Sequence, residues 1–276
     1  MSKKDVAVVE EKTTALAVGA MDFAADAGAG MEGAGQDSFA IPFLSVLQKG
    51  SPQVDEASGQ AIKGAKAGML FENVTGRMFN GKDGIIIVPC SYRREFLRWG
   101  GRENGGGFKG PMTPEQVVEM RARGAIVELD GRLYVPEKDG TVNPKKSDNI
   151  KDTREHYVLV IDQATGAWTE ALLSLTSTQI KKSKMLMSAL AAVKLKNAAG
   201  QMFTPPTFAN YVKITTVPES NDQGTWFGVK FEVAGQVDRP EVYAAAKAFH
   251  ANIAKGGVQV KYEDTEAAPQ GTGEGF

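Results

Sequence analysis

Residues 85–88 read Ile-Ile-Ile-Val, an unbroken β-branched run. Such a run fits a strand buried on both faces far better than a helix, where each branched side chain crowds the preceding turn. Pro89 follows and removes a backbone donor, so a break or a sheet edge is expected there. Extended chain then resumes from Tyr92 to Trp99.

Other segments carry strand or turn signals. Residues 69–71 are apolar and precede the turn residues Asn73, Thr75 and Gly76, and Asn80-Gly81 marks a second turn. Residues 125–129 and 132–135 flank Asp130-Gly131, which predicts a hairpin with a primed turn. Residues 157–161 and 168–173 flank Ala164-Thr165-Gly166, and residues 212–217 and 226–233 flank a polar turn. Three helices are expected. Thr113-Pro114-Glu115-Gln116 is a capping box with proline at the first helical position, and that helix should stop near Gly124. Residues 177–198 have helical spacing and five lysines, Lys181, Lys182, Lys184, Lys194 and Lys196. Residues 241–255 follow Pro240 and stop at Gly256-Gly257. Residues 136–154 are polar and read as a long exposed loop. About seven strands and three helices without βα alternation predict an α+β fold, built on an antiparallel sheet or a small barrel.

The net charge is −1, from 32 basic and 33 acidic side chains. That balance looks unlike a nucleic-acid binder, but it is unevenly placed. Residues 1–40 hold three basic and seven acidic side chains, and residues 262–276 hold four acids and no Lys or Arg. The stretch between them carries a net +7. Residues 17–37 are rich in Ala and Gly, and residues 265–275 in Ala, Pro, Gly and Thr, so both ends read as disordered. The expected layout is an acidic arm at 1–40, a folded nucleic-acid-binding domain at 41–261 and an acidic tail at 262–276. A single cysteine excludes an internal disulfide framework and a multi-cysteine zinc site. No apolar run approaches the ~18 residues of a membrane helix, and no signal-peptide stretch is present, so a cytoplasmic protein is expected.

Several motif matches are better explained without chemistry. Gly28, Gly30 and Gly33 fit a dinucleotide fingerprint but lie in an Ala/Gly tract. Gly76 to Lys82 fits most of a P-loop, yet Asp83 stands where a Ser or Thr should meet magnesium. Cys90 has no histidine at a partner spacing and reads as a buried structural residue. His156 and His250 form no metal motif. A carboxylate metal nuclease stays open, because paired acids have no unique spacing. No enzyme activity and no cofactor are expected.

The segment from Cys90 to Arg102 carries the functional reading. Strand alternation places Tyr92, Arg94, Phe96, Arg98 and Arg102 on one face, alternating rings with guanidinium groups. Single-stranded nucleic acid calls for that chemistry: bases stack on aromatics and phosphates pair with cations. Tyr92, Phe96 and Trp99 are the candidate stacking residues; Arg93, Arg94, Arg98, Arg102 and Lys109 are the candidate phosphate contacts. The competing reading is a half-exposed strand whose cation–π pairs only hold the sheet.

The C-terminus, Lys261-Tyr-Glu-Asp-Thr-Glu-Ala-Ala-Pro-Gln-Gly-Thr-Gly-Glu-Gly-Phe276, resembles the tails of bacterial and T7-type bacteriophage single-stranded-DNA-binding proteins. The stretch from Ile41-Pro-Phe-Leu through Gly84-Ile-Ile-Ile-Val-Pro to Arg102-Glu-Asn-Gly-Gly-Gly-Phe also resembles a group of tailed-phage proteins, some described as single-stranded-DNA-binding. The resemblance implies an OB-like barrel, no cofactor, and a role in replication and recombination in the infected host cytoplasm. It further implies homo-oligomers and a tail that docks polymerase or helicase, here through Glu263, Asp264, Glu266, Glu274 and Phe276. This tail has only four acids, and the chain adds an acidic N-terminal arm. A strand-annealing recombinase and a virion structural or decoration protein are the alternatives.

Overall fold

The computed structural model describes residues 25–34, 38–222, 224–258, 260 and 262. The chain divides into two units, 1–39 and 40–276. In the first, residues 25–34 form consecutive turns closed by bonds such as Ala29 N to Asp26 O, 3.0 Å. Gly28, Gly30 and Gly33 lie in these turns and open no helix among the described residues.

The second unit is α+β, with three α-helices among the described residues, as expected. Its strands are β1 (Leu44–Val46), β2 (Leu70–Glu72), β3 (Met78–Phe79), β4 (Ile85–Trp99), β5 (Phe108–Met112), β6 (Val127–Leu129), β7 (Arg132–Val135), β8 (Asp148–Ile161), β9 (Trp168–Thr176), β10 (Leu195–Lys196), β11 (Met202–Phe203), β12 (Asn210–Asn221) and β13 (Gly224–Gln236). The helices are α1 (Pro114–Ala122), α2 (Ile180–Ala192) and α3 (Pro240–Ala254). The main sheet is antiparallel and runs β13-β12-β4-β8-β7-β6, with β5 on β4 and β9 on β8. It stays open between β13 and β6, so the barrel alternative does not form among the described residues. β1-β2-β3 make a small second sheet, and β10-β11 a separate hairpin.

The long β4–β8 pair is the spine. It runs in register from Ile86↔Ile161 to Trp99↔Asn149, with one irregularity between Pro89 and Ser91. Pro89 therefore does not break the strand. Pairing with β12 ends at Ile87, so the missing donor falls just beyond that ladder and at a bulge. The bulge also shifts the alternation by one residue. Ile86, Val88 and Cys90 point into the same core as Leu97 and Trp99, an even set and an odd set joined across the bulge.

That core is covered by α3, whose Val242, Ala246, Phe249 and Ile253 form one buried stripe. On the opposite face, Ile85, Ile87, Val158 and Val160 pack with Leu186 and Leu190 of α2. Farther along the same face, Phe96 and Ile150 pack with Val117 of α1. Two helices thus cover the ends of one sheet face and leave its middle to polar residues.

Local signals hold well. Thr113 accepts from Gln116 N at 3.3 Å, and Gln116 Oε1 accepts from Thr113 N at 2.8 Å, which completes the capping box. Asp130 and Gly131 both have positive φ, 51° and 73°, the signature of the primed hairpin turn. Beyond Pro89 and the strand count, thirteen among the described residues rather than about seven, two expectations fail. Residues 136–154 are not all loop: β8 begins at Asp148, and its polar first half is paired on both sides. The second helix ends at Ala192, and Lys194 and Lys196 lie beyond it, Lys196 in β10. The Asn80-Gly81 turn is present, but Gly81 has an ordinary φ and is needed for space. A Cβ there would lie 1.9 Å from Gly68 O and 2.0 Å from Thr216 Oγ1.

Gly81→Ala is expected to cost about 3 kcal/mol by forcing apart the backbone at Gly68 and Thr216. Thr113→Ala should cost only about 1 kcal/mol through the lost cap. Urea denaturation with unchanged m-values checks both.

Candidate functional site

The middle of the sheet face between α1 and α2 is floored by β4, which is open to solvent at Tyr92 and Arg94, and by β8, whose Arg154 and His156 are buried. Tyr92 lies opposite His156, with ring centroids 5.2 Å apart. Arg94 lies opposite Arg154 and reaches diagonally to Asp152, with Nε to Oδ1 at 3.2 Å and Nη2 to Oδ2 at 2.9 Å. Arg98 bonds Asp148 Oδ2 through Nε at 2.7 Å, and Lys109 of β5 bonds Asp148 Oδ1 at 2.9 Å. Four cations, Arg94, Arg154, Arg98 and Lys109, thus share two carboxylates.

These contacts set the charge states. Burial alone would raise the Asp148 pKa, but hydrogen bonds from Lys109 and Arg98 outweigh it and hold the carboxyl below its ordinary range. The Asp152 hydrogen bond raises the Arg94 pKa further. His156 is buried against Ser183 of α2, Nε2 to Oγ 2.8 Å, and burial pushes its pKa down to about 4. The ring beside Tyr92 is therefore neutral at pH 7.

Of the residues singled out in the sequence, Tyr92, Arg94, Arg98 and Lys109 come together on this face. Tyr92 is 37% exposed and the Arg94 side chain 44%. Phe96 shares the row but is only 6% exposed, held under α1 with Arg94 4.9 Å over its ring. It is a core side chain in this arrangement and does not present a ring face to solvent. Arg93 and Trp99 project to the opposite face. Arg93 stacks over Tyr157 at 5.6 Å and donates to the Ile253 carbonyl in the last turn of α3. Trp99, 9% exposed, packs on Phe108 with centroids 5.3 Å apart.

Arg102 is exposed in a short 3-10 turn after β4. The glycine-rich loop that carries it is fastened to the loop before β8. Glu103 N donates to Lys145 O at 2.9 Å and Asn104 Nδ2 to Lys146 O at 3.0 Å. Gly101 permits that approach, since a Cβ there would lie 1.9 Å from Lys146 O. Arg102, Lys145 and Lys146 consequently form an exposed basic rim beside the Arg98–Lys109 end of the strip. A shallow cleft of about 310 Å³ opens beside Arg98 and Lys109, lined also by Gln116, Glu119 and Arg123. The tail residues Glu263, Asp264, Glu266, Glu274 and Phe276 lie outside the described residues, as does most of the N-terminal arm.

Asp148, Asp152 and Arg154 were not legible as site residues, because their segment reads as loop. Their signal was the charged alternation of 148–154, which matches the alternation of 94–98 only once the two strands are paired. Cys90 is fully buried, donates to Val88 O at 3.3 Å, and burial pushes its thiol pKa up, so it is a structural residue. Among the described residues no three His, Cys, Asp or Glu side chains gather as a metal-binding group.

A sequence model of the Pam3 phage gp34-like protein family matches residues 11–259. The chain belongs to this family and is a phage protein. No curated protein and no solved structure matches it. The phage half of the resemblance is thereby shown; the family's description carries no activity.

Behind the site, Glu155 is fully buried beside Glu95, Arg93, Tyr157 and Tyr262, and accepts from both tyrosine hydroxyls. Burial, with the like charge of Glu95, pushes its pKa from 4.5 up to about 7, against the two hydrogen bonds. Its folded pKa is raised, so its favourable contribution is full below pH 4.5 and is lost as pH rises to about 7. His156 works the other way: its contribution is present above pH 6.5 and is lost as pH falls to about 4. The two slopes oppose each other between pH 4.5 and 6.5. Glu155→Gln removes one, so the variant should lose stability on acidification from pH 6.5 more steeply than the parent, as measured by urea denaturation across pH.

Proposed function

We propose that this phage protein binds single-stranded DNA without sequence preference, during replication or recombination of the phage genome. The observation that carries this reading is the sheet face between α1 and α2, open along β4, where exposed Tyr92 stands in line with Arg94, Arg98 and Lys109. A strand of nucleic acid laid along β4 would find one stacking ring and a row of phosphate partners at about the spacing of alternate strand residues. The basic rim at Arg102, Lys145 and Lys146 extends the row. An open shallow face suits a long polymer better than an enclosed small molecule, which favours binding over catalysis.

Phe96 and Trp99, being enclosed, contribute rigidity to the strand and leave Tyr92 as the main base platform. Affinity then rests mostly on phosphate contacts, and salt dependence should be steep. The resemblance of the C-terminus to acidic docking tails fits the same reading, with the tail meeting replication proteins such as polymerase or helicase. Self-association and a cytoplasmic site of action in the infected cell belong to this proposal too.

Titration of labelled oligo-dT over a salt series tests it. Affinity should fall steeply with salt, with duplex DNA of equal length bound less well. The double variant Arg98→Gln/Lys109→Gln should lower the slope of log affinity against log salt by about one to two. Tyr92→Ala should weaken binding by about 1–3 kcal/mol with the slope unchanged. No oligo-dT binding at low salt, or affinity independent of salt, overturns the reading.

A further inference from the structure

Arg154 is the least expected residue of the sheet face. It sits mid-strand in β8, directly opposite Arg94 of β4 and Leu175 of β9, with its side chain only 6% exposed. Like charges directly opposite each other oppose strand pairing. A buried guanidinium also needs acceptors for its donors, since water cannot supply them. Here the supply falls short. Asp152 accepts from Arg154 Nη2 at 3.1 Å and lies 3.1 Å from Nη1, and the same carboxylate carries the Arg94 fork. Arg154 Nε and Nη1 are buried with no hydrogen-bond acceptor among the described residues.

Two guanidinium groups therefore converge on one carboxylate, with donors left over on the inner one. Among the described residues, Asp152 is the one carboxylate within ion-pair reach of Arg94 and Arg154. His156 is held neutral, Ser183 and Tyr92 are uncharged, and Phe96 is apolar. Glu155 and Glu95 project to the opposite face with Arg93. The site is one anion short, and its donors are planar forks suited to tetrahedral oxyanions.

We propose that Arg94 and Arg154 form a phosphate clamp in which Asp152 is a built-in competitor. The ligand is a phosphoryl group, either a phosphodiester of a bound single strand or a free phosphate. The partly exposed Arg94 side chain lifts off Asp152 to take the phosphate, and the phosphate oxygens reach the unfilled donors of Arg154. Asp152 keeps the two cations together when no ligand is bound, and it lowers affinity for ligands that cannot displace it. As a DNA contact the clamp rests on the single-stranded-DNA reading; as a free-phosphate site it does not.

Two probes separate these cases, labelled oligo-dT over a salt series and sodium pyrophosphate followed by thermal midpoint. Asp152→Asn removes the competitor. It should bind oligo-dT several-fold tighter, with a salt slope steeper by about one. Arg154→Gln should bind about tenfold more weakly with a slope shallower by about one, and Arg154→Lys should restore the slope but not the full affinity. A purely structural Arg154 would change the urea midpoint and leave the salt slope alone. Should Arg154→Gln fail to fold, Asp152→Asn still decides. Oligo-dT binding that is the same in parent and Asp152→Asn overturns the clamp and leaves the proposed function standing. A parent that ignores oligo-dT but is stabilised by pyrophosphate, and more so in Asp152→Asn, keeps the clamp and overturns the DNA reading. Indifference to both probes overturns both.

Discussion

The pairing of β4 with β8 is the contact on which the rest of this structure depends. It joins residues some sixty positions apart along nearly the whole of both strands. Every other strand of the main sheet attaches to one of these two, directly or through a neighbour. The bulge between Pro89 and Ser91 decides how the spine can be used. Without that shift of one residue, the apolar side chains before and after Pro89 would fall on opposite faces. With it, α3 closes over a continuous core, and the row from Tyr92 to Arg98 lies on the other side.

The same pairing explains how so much charge is tolerated in a sheet. Arg94, Arg98 and Lys109 are not scattered surface cations; they are tied to Asp148 and Asp152 across the strand pair. The cations of these pairs are partly exposed, and ion pairs open to solvent contribute little to stability on average. Their effect here is positional. They hold long side chains in defined places on the face. α1 and α2 frame that face at its two ends, and polar residues occupy the interval between them, with His156 tucked against α2.

Behind the face, Glu155 and His156 are neighbours in sequence that point to opposite sides of the sheet. Burial pushes one carboxyl pKa up and one imidazole pKa down. Both groups therefore favour neutrality in the fold, and their linkage to pH runs in opposite senses. Glu155 also bonds Tyr262, which stacks on Phe108 and Phe43 and fixes the chain immediately before the acidic C-terminal residues. The root of that segment is thus held on the face opposite to Tyr92 and Arg94.

Local chemistry was legible without a structure. The capping box at Thr113, the Asp130-Gly131 turn, the stripe of the last helix and the β-branched run at 85–88 each depend on residues within a turn or two. The alternation of Tyr92, Arg94, Phe96 and Arg98 was legible for the same reason. Which of these rings and charges meet solvent was not, because burial is conferred by distant partners. Phe96 is covered by Val117 and Ile150, and Trp99 by Phe108. Residues 148–154 read as loop because their polarity has no local justification. Their strand is paired with β4, and its carboxylates meet Arg94, Arg98 and Lys109, which only the folded chain brings alongside. Sequence alone therefore determined a basic, aromatic strand within an α+β chain. The tertiary structure decided which face of that strand is open and which carboxylates pair with its cations, since those depend on cross-strand register and on the phase shift at Pro89.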